Sequence, residues 1–288
     1  MNPRALAEES AGHPRALADG SAGHPRALAD ESAGYPGALA DESAGHPRAL
    51  ADGFAGHPRT ARILAGTKFD NDAGEADPDL TAALADEDEV AFFAAVASAR
   101  LLVPVVSAPA DADQDALKEA RSADMAMLTL TSPDGQRALP VFTSVTALRT
   151  WDPSARPSPV TSARAAQAAV AERCDVLLLD VGSEHSRVLR PSMVWALAQQ
   201  RKWLPAHTDP FVAQVLMRAV AGEPDVLGCF GEGGDPAGAG ILRVVLSLRS
   251  GLDPAQVRAL ATRVGEQIAT DGEARARIDG LAFVIRQA

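Results

Sequence analysis

The stretch Met125-Ala126-Met127-Leu128-Thr129-Leu130-Thr131-Ser132-Pro133-Asp134-Gly135-Gln136-Arg137-Ala138-Leu139-Pro140-Val141-Phe142-Thr143 is the most informative in the chain. Residues 125–131 and 137–143 alternate in the two-residue period of a strand. Between them Ser132-Pro133-Asp134-Gly135 supplies turn chemistry: Pro presets φ, Asp bonds its own backbone and Gly accepts positive φ. The pattern predicts a β-hairpin. Downstream, Val176-Leu177-Leu178-Leu179-Asp180-Val181 is nearly all apolar, the mark of a central strand buried on both faces.

Upstream of the hairpin, Asp77-Pro78-Asp79 caps a short helix around Leu80–Ala85. The acidic run Asp86-Glu87-Asp88-Glu89 precedes Val90, Phe92, Phe93 and Val96, and reads as a solvated first helical turn favoured by the dipole rather than a cation site. Leu101–Val106 is a short strand that Pro104 should confine to an edge or a bulge. Residues 107–122 read as a loop. After the hairpin come a short helix (Ser144–Trp151), a link containing Pro153, Pro157 and Pro159, a capped helix (Ser162–Arg173), a short strand near Val188–Arg190 and a helix from Ser192 to about Lys202. Trp203-Leu204-Pro205-Ala206 is the expected junction. Beyond it, Asp209-Pro210 caps a helix over Phe211–Val220, strands follow at Val226–Phe230 and Ile241–Arg249, Asp253-Pro254 caps a long helix to about Arg277, and Leu281–Arg286 is a last strand. The predicted class is α+β: a mixed β-sheet with flanking helices over 67–206, plus a smaller α-β-β-α-β domain over 207–288.

Residues 1–66 stand apart. Pro3, Pro14, Pro25, Pro36, Pro47 and Pro58 recur every 11 residues, in units such as Pro14-Arg15-Ala16-Leu17-Ala18-Asp19-Gly20-Ser21-Ala22-Gly23-His24. Each unit carries one Leu and is broken by Gly-His-Pro, too little apolar surface to offset the entropy of ordering it. An 11-residue period can mark a right-handed coiled coil, but a proline per unit argues against one. The segment reads as a disordered tail, a tandem duplication expected to be dispensable or to lie upstream of the true start. His13, His24, His46 and His57 recur within it. A metal-binding tail would have to order each imidazole first, and Tyr35 breaks the series, so no metal is assigned.

Composition narrows the function. The chain has 288 residues, 27 Lys+Arg against 38 Asp+Glu and a net charge of −11. Its lysines are Lys68, Lys118 and Lys202, which argues against nucleic-acid binding through phosphates. No apolar run approaches the roughly 18 residues of a membrane span. The start Met1-Asn2-Pro3-Arg4 lacks a basic-then-apolar export signal, so a cytoplasmic location is expected. Cys174 and Cys229 have no metal-like spacing and read as reduced packing thiols.

The ordered set Arg100-Leu101-Leu102-Val103-Pro104-Val105, Asp124-Met125-Ala126, Pro133-Asp134-Gly135, Leu139-Pro140-Val141-Phe142-Thr143-Ser144, Leu148, Trp151, Arg156-Pro157 and Asp180 resembles the SseB N-terminal domain family, the enhanced-serine-sensitivity proteins of bacteria. The resemblance covers roughly 88–204. Residues 207–288 resemble, less distinctly, the C-terminal domain that often accompanies it. The resemblance implies a link to serine tolerance rather than an enzymatic reaction, and supplies no catalytic residue and no cofactor.

Two constellations invite chemistry. Asp180, Ser183, Glu184 and His185 lie at the C-terminal end of a central strand, where ligands often sit in open α/β sheets. They lack the distant-segment convergence of a triad and read as a turn. Gly231, Gly233, Gly234, Gly238 and Gly240 resemble a phosphate cradle, but a strand follows where a helix N-terminus is needed, so they read as a flexible hairpin connection. Trp151, Trp195 and Trp203 read mostly as core. Phe142, Thr143, Ser144 and Arg156, beside the hairpin edge, with Asp180, are the candidate binding residues; no catalytic residue, metal ligand or cofactor is assigned. The expectation is a non-catalytic binding or regulatory protein contacting a protein partner or a small polar ligand, with no nucleic acid and no membrane. The alternative is a small-molecule hydrolase using Asp180 and His185.

Overall fold

The computed structural model describes residues 55–60, 69, 72–107, 125–133, 135–236 and 238–287. Within them the hairpin forms as its sequence dictates. Strands β3 (Met125–Thr131) and β4 (Arg137–Val141) are joined by a turn in which Gly135 takes φ +88° and the Ser132 N–H donates to the Gln136 carbonyl at 2.9 Å. Asp134 and the expected loop beyond Ser107 lie outside the described residues. Only Leu130↔Ala138 and Thr131↔Arg137 pair across the hairpin before the strands diverge. β4 then runs parallel to β6 (Val176–Leu179), whose four residues are all buried, as an all-apolar central strand requires. The sheet has seven strands, β5 (Arg156–Thr161), β2 (Arg100–Ser107), β3, β4, β6 and β7 (Arg187–Leu189) in that order, with β1 (Ala55–Thr60) paired to β3.

The two-residue period of β6 builds a core on each face. Leu177 and Leu179 pack with helices α1 (Pro78–Leu84), α2 (Glu89–Ser98), α4 (Ser162–Ala171) and α5 (Pro191–Ala198) through Leu80, Phe92, Ala166 and Met193. Val176 and Leu178 pack on the other face with Phe142 and with Leu148 of α3 (Val145–Trp151). Asp77 and Asp88 cap α1 and α2 with carboxylates that accept two backbone N–H groups each.

Three expectations about prolines and the tail are corrected. β2 is not an edge strand, since it pairs with β5 on one side and with β3 on the other. The Leu102 N–H and C=O exchange bonds with Phe142, so Leu102↔Pro159 and Pro104↔Pro157 are non-hydrogen-bonded pairs across to β5. The nitrogen of Pro104 faces a break between the Phe142 bridge and the Val105↔Met127 pairing, while those of Pro157 and Pro159 face the free side of β5. The expected Pro-rich link is therefore, in part, an edge strand. Finally, Ala55–Thr60, assigned to the disordered tail, is a strand antiparallel to β3. The rest of that tail lies outside the described residues.

The smaller sheet has the order β10-β9-β8: β8 (Val226–Gly233) is antiparallel and β10 (Gly280–Gln287) parallel to β9 (Ile241–Leu248). One face is covered by α6 (Pro210–Val220), α7 (Pro254–Thr270) and α8 (Gly272–Arg277). The predicted long helix to Arg277 is two helices, because the Asp271 carboxylate accepts the Glu273 and Ala274 N–H groups and restarts the chain as an N-cap.

The two sheets are joined by a largely buried guanidinium. Arg190 Nη1 meets Glu89 Oε1 at 2.5 Å and Nε meets Asp279 Oδ2 at 3.0 Å, while Nη1 also donates to the Gly238 carbonyl. Asp279 further accepts the Ser192 N–H and hydroxyl, each at 2.7 Å, and Ser192 Oγ accepts the Trp203 indole N–H at 2.9 Å. Glu89 is thus not part of a solvated turn, and the glycine-rich connection is anchored rather than free. Gly240, at φ +76°, passes so close that a Cβ would lie 2.5 Å from Arg190 Nε. Burial opposes the charge of Arg190, but Glu89 and Asp279 more than offset it and hold its pKa above the ordinary value. Removing one partner of such a cluster leaves uncompensated buried charge, typically about 3–5 kcal/mol. Arg190→Met is expected to lower stability by about 3 kcal/mol and to let residues 207–287 unfold in a separate urea transition. A single coincident transition shifted by less than about 0.5 kcal/mol would contradict this.

Candidate functional site

Asp180 ends β6 in the left-handed region, at φ 48°, a conformation Asp tolerates better than most residues. Its N–H donates to the Val141 carbonyl at 2.9 Å, extending the β4–β6 ladder by one step. The carboxylate then turns back on the end of β4. Oδ1 accepts the Thr143 N–H and Oδ2 the Thr143 hydroxyl, both at 2.8 Å, and the residue is only 6% exposed. Burial raises the Asp180 pKa above the usual carboxylate range, opposed by the two Thr143 bonds and by the charge of nearby His185.

The third polar group of Thr143 is also engaged. Its carbonyl accepts from Arg100 Nη1 at 2.8 Å. Arg100 in turn meets Asp72 through Nε at 2.5 Å and donates to the Glu75 carbonyl at 2.6 Å. Residues 72–77 therefore cross over the end of β4, and the Gly74 carbonyl accepts the Val145 N–H at 2.9 Å. The site of Gly74 excludes a side chain, because φ is +79° and a Cβ would fall 2.5 Å from Val145 Cγ2.

Of the five candidate residues, the structure brings Phe142, Thr143, Ser144 and Asp180 to this one end of the sheet. Phe142 is fully buried and packs on Trp151 with ring centroids 5.2 Å apart. Ser144 caps α3, its hydroxyl accepting the Ala147 N–H at 3.1 Å. Arg156 is not part of the group: it lies opposite Val105, at the far end of β2 from Arg100. His185 occupies the turn after Asp180, its side chain 60% exposed, with Glu184 Oε1 3.5 Å from Nε2. Both oxygens of Asp180 are engaged by Thr143. Arg100 and Asp72 were missed as site residues. A lone Arg at the start of a strand carries no sequence signal, because its partners are main-chain carbonyls and a carboxylate 28 residues away. Cys229 is half-buried, and burial pushes its thiol up to about 11. Among the described residues no group of three or more His, Cys, Asp or Glu comes together to hold a metal, and no helix is long and apolar enough to cross a membrane.

The SseB protein N-terminal domain family matches residues 79–196, from the first turn of α1 into α5. The chain is similar to the SseB family over this segment. The matched segment contains Arg100, Thr143, Asp180 and Arg190, whereas Asp72 and Asp279 lie outside it. No curated protein and no solved structure matches the chain.

The raised pKa of Asp180 has a stability signature. Between the ordinary aspartate value of about 3.9 and the raised folded value, the folded chain keeps a proton that the unfolded chain has lost. The contribution of this group to stability therefore falls as pH rises through that window. Asp180→Asn is expected to remove that slope, so urea unfolding from pH 3.5 to 6 should show the wild type losing ground to the variant as pH increases. A flat or opposite difference would contradict the burial argument.

Proposed function

We propose that the chain is a cytoplasmic, non-catalytic binding or regulatory protein of the SseB type, acting on a protein partner or a small polar ligand. The observation that carries this reading is the closure of the Asp180–Thr143–Arg100 group. A general base needs an oxygen in reach of substrate, and here each carboxylate oxygen already accepts a bond from Thr143. The histidine a hydrolase would need stands out in solvent on the next turn, beside Glu184. The same closure favours a structural role for Thr143 and Asp180 and leaves Ser144 and Arg156 as the candidate residues with surface to offer.

The test is a thermal-shift screen of the full chain with serine and other amino acids, nucleotides and divalent metals, run beside His185→Ala. A ligand at 100 times its Kd adds about 2.7 kcal/mol, several degrees for a domain of this size. His185→Ala is expected to keep the wild-type midpoint and any ligand shift. Turnover of a chromogenic ester or phosphoester that His185→Ala abolishes without unfolding the protein would replace this reading with the hydrolase.

A further inference from the structure

Strand β1 is made from the repeat. Its residues Ala55-Gly56-His57-Pro58-Arg59-Thr60 pair antiparallel with β3 from Thr131 back to Ala126. The preceding unit reads Ala44-Gly45-His46-Pro47-Arg48-Ala49, identical at five positions and differing only in Ala49 for Thr60. The chain therefore carries, one repeat unit upstream of the strand it uses, a near-copy of that strand.

The pairing does not discriminate between the copies. Ser132 N–H donates to Gln136 across the hairpin, so by alternation Leu130 and Leu128 face β4 and β2 while Thr131, Thr129 and Met127 direct their backbone groups to β1. Ala55, His57 and Arg59 occupy the hydrogen-bonded positions, and Pro58, opposite Leu128, falls at a position whose nitrogen points away from β3. The one residue that cannot donate is placed where no donor is needed. Pro47 falls at the same place when the register shifts by one unit. Chain closure discriminates only weakly. The chain is already anchored at Asp72 by Arg100. The segment that must close therefore grows by one repeat unit, from about 12 to about 23 residues, and the three-halves power of length lowers the closure probability by a factor of about 3.

We propose that the β3 edge is a docking groove for the extended Ala-Gly-His-Pro-Arg segment, and that Ala44–Ala49 exchanges with Ala55–Thr60 as its occupant. The groove reads backbone and proline placement, the chemistry of β-strand addition, and the repeat supplies a spare strand for it. Duplicating the unit then changes the occupancy of the sheet edge rather than only lengthening the chain.

Cysteine trapping in the full chain tests this, with Cys174→Ala and Cys229→Ala as background. Leu128→Cys is combined with Pro58→Cys, with Pro47→Cys, or with Ala40→Cys as an off-register control, and the intramolecular disulfide is equilibrated in glutathione buffer. Effective concentrations for positions 58 and 47 are expected within about fivefold of each other, and both at least tenfold above position 40. A position-47 value equal to the control, or a disulfide that forms between chains rather than within one, would overturn the exchange. Hydrogen exchange gives a second reading free of cysteines. Replacing Ala55–Thr60 by Gly-Ser should leave Met127 and Thr129 amides protected, and loss of that protection would also overturn it.

Discussion

One guanidinium organises the architecture. Arg190, at the mouth of α5, holds Glu89 from the start of α2, Asp279 from the start of β10 and the carbonyl of Gly238 from the β8–β9 connection, with the Trp203 ring at 5.5 Å. These groups come from four separate segments, and each would be costly to bury alone. Arginine suits the place because its planar fork can serve two carboxylates and a carbonyl at once, which a lysine could not. The Ser192–Asp279 and Trp203–Ser192 bonds add direction, so the second sheet meets the first in one orientation.

A second polar knot works at one end of the larger sheet. Asp180 and Thr143 tie the parallel neighbours β4 and β6 at the ends where their ladder runs out, and Arg100 draws the Asp72–Glu75 segment across the same point. In an open α/β sheet this is where ligands are usually sought. Here the polar groups at that end bind one another, and the sheet end is closed by the chain itself. Asp180 taken alone invites a hydrolytic reading, whereas its bonds to Thr143 tie it into the sheet.

Much of this was legible in the residues. The Pro-Asp-Gly turn, the all-apolar run of β6 and the carboxylate caps at Asp77, Asp88, Asp209 and Asp253 act locally, so their signals survive in one dimension. What escaped was set by partners far apart in sequence. Pro104 is tolerated inside the sheet only because Phe142 and Met127 flank it on either side of a break. β1 is a strand only because β3 presents an edge to it. Glu89 looks like a solvated helical start until Arg190, 101 residues on, is placed beside it. Of the candidate residues, Phe142, Thr143, Ser144 and Asp180 do converge, but Arg156 lies elsewhere and Arg100 gave no signal.

If two sheets of separate core composition act as one unit through the Arg190 cluster, Arg190 and Asp279 must be energetically coupled. A double-mutant cycle of Arg190→Met and Asp279→Asn, read by urea unfolding of the full chain, measures that coupling. Contacting residues in one network couple by about 0.5–3 kcal/mol. A partly buried ion pair at 3.0 Å belongs in the upper half of that range. The expected coupling is therefore at least about 1.5 kcal/mol, the upper half of the range for residues in contact. Two effects that add to within about 0.3 kcal/mol, as independent sites do, would contradict it and leave the sheets joined by apolar packing alone.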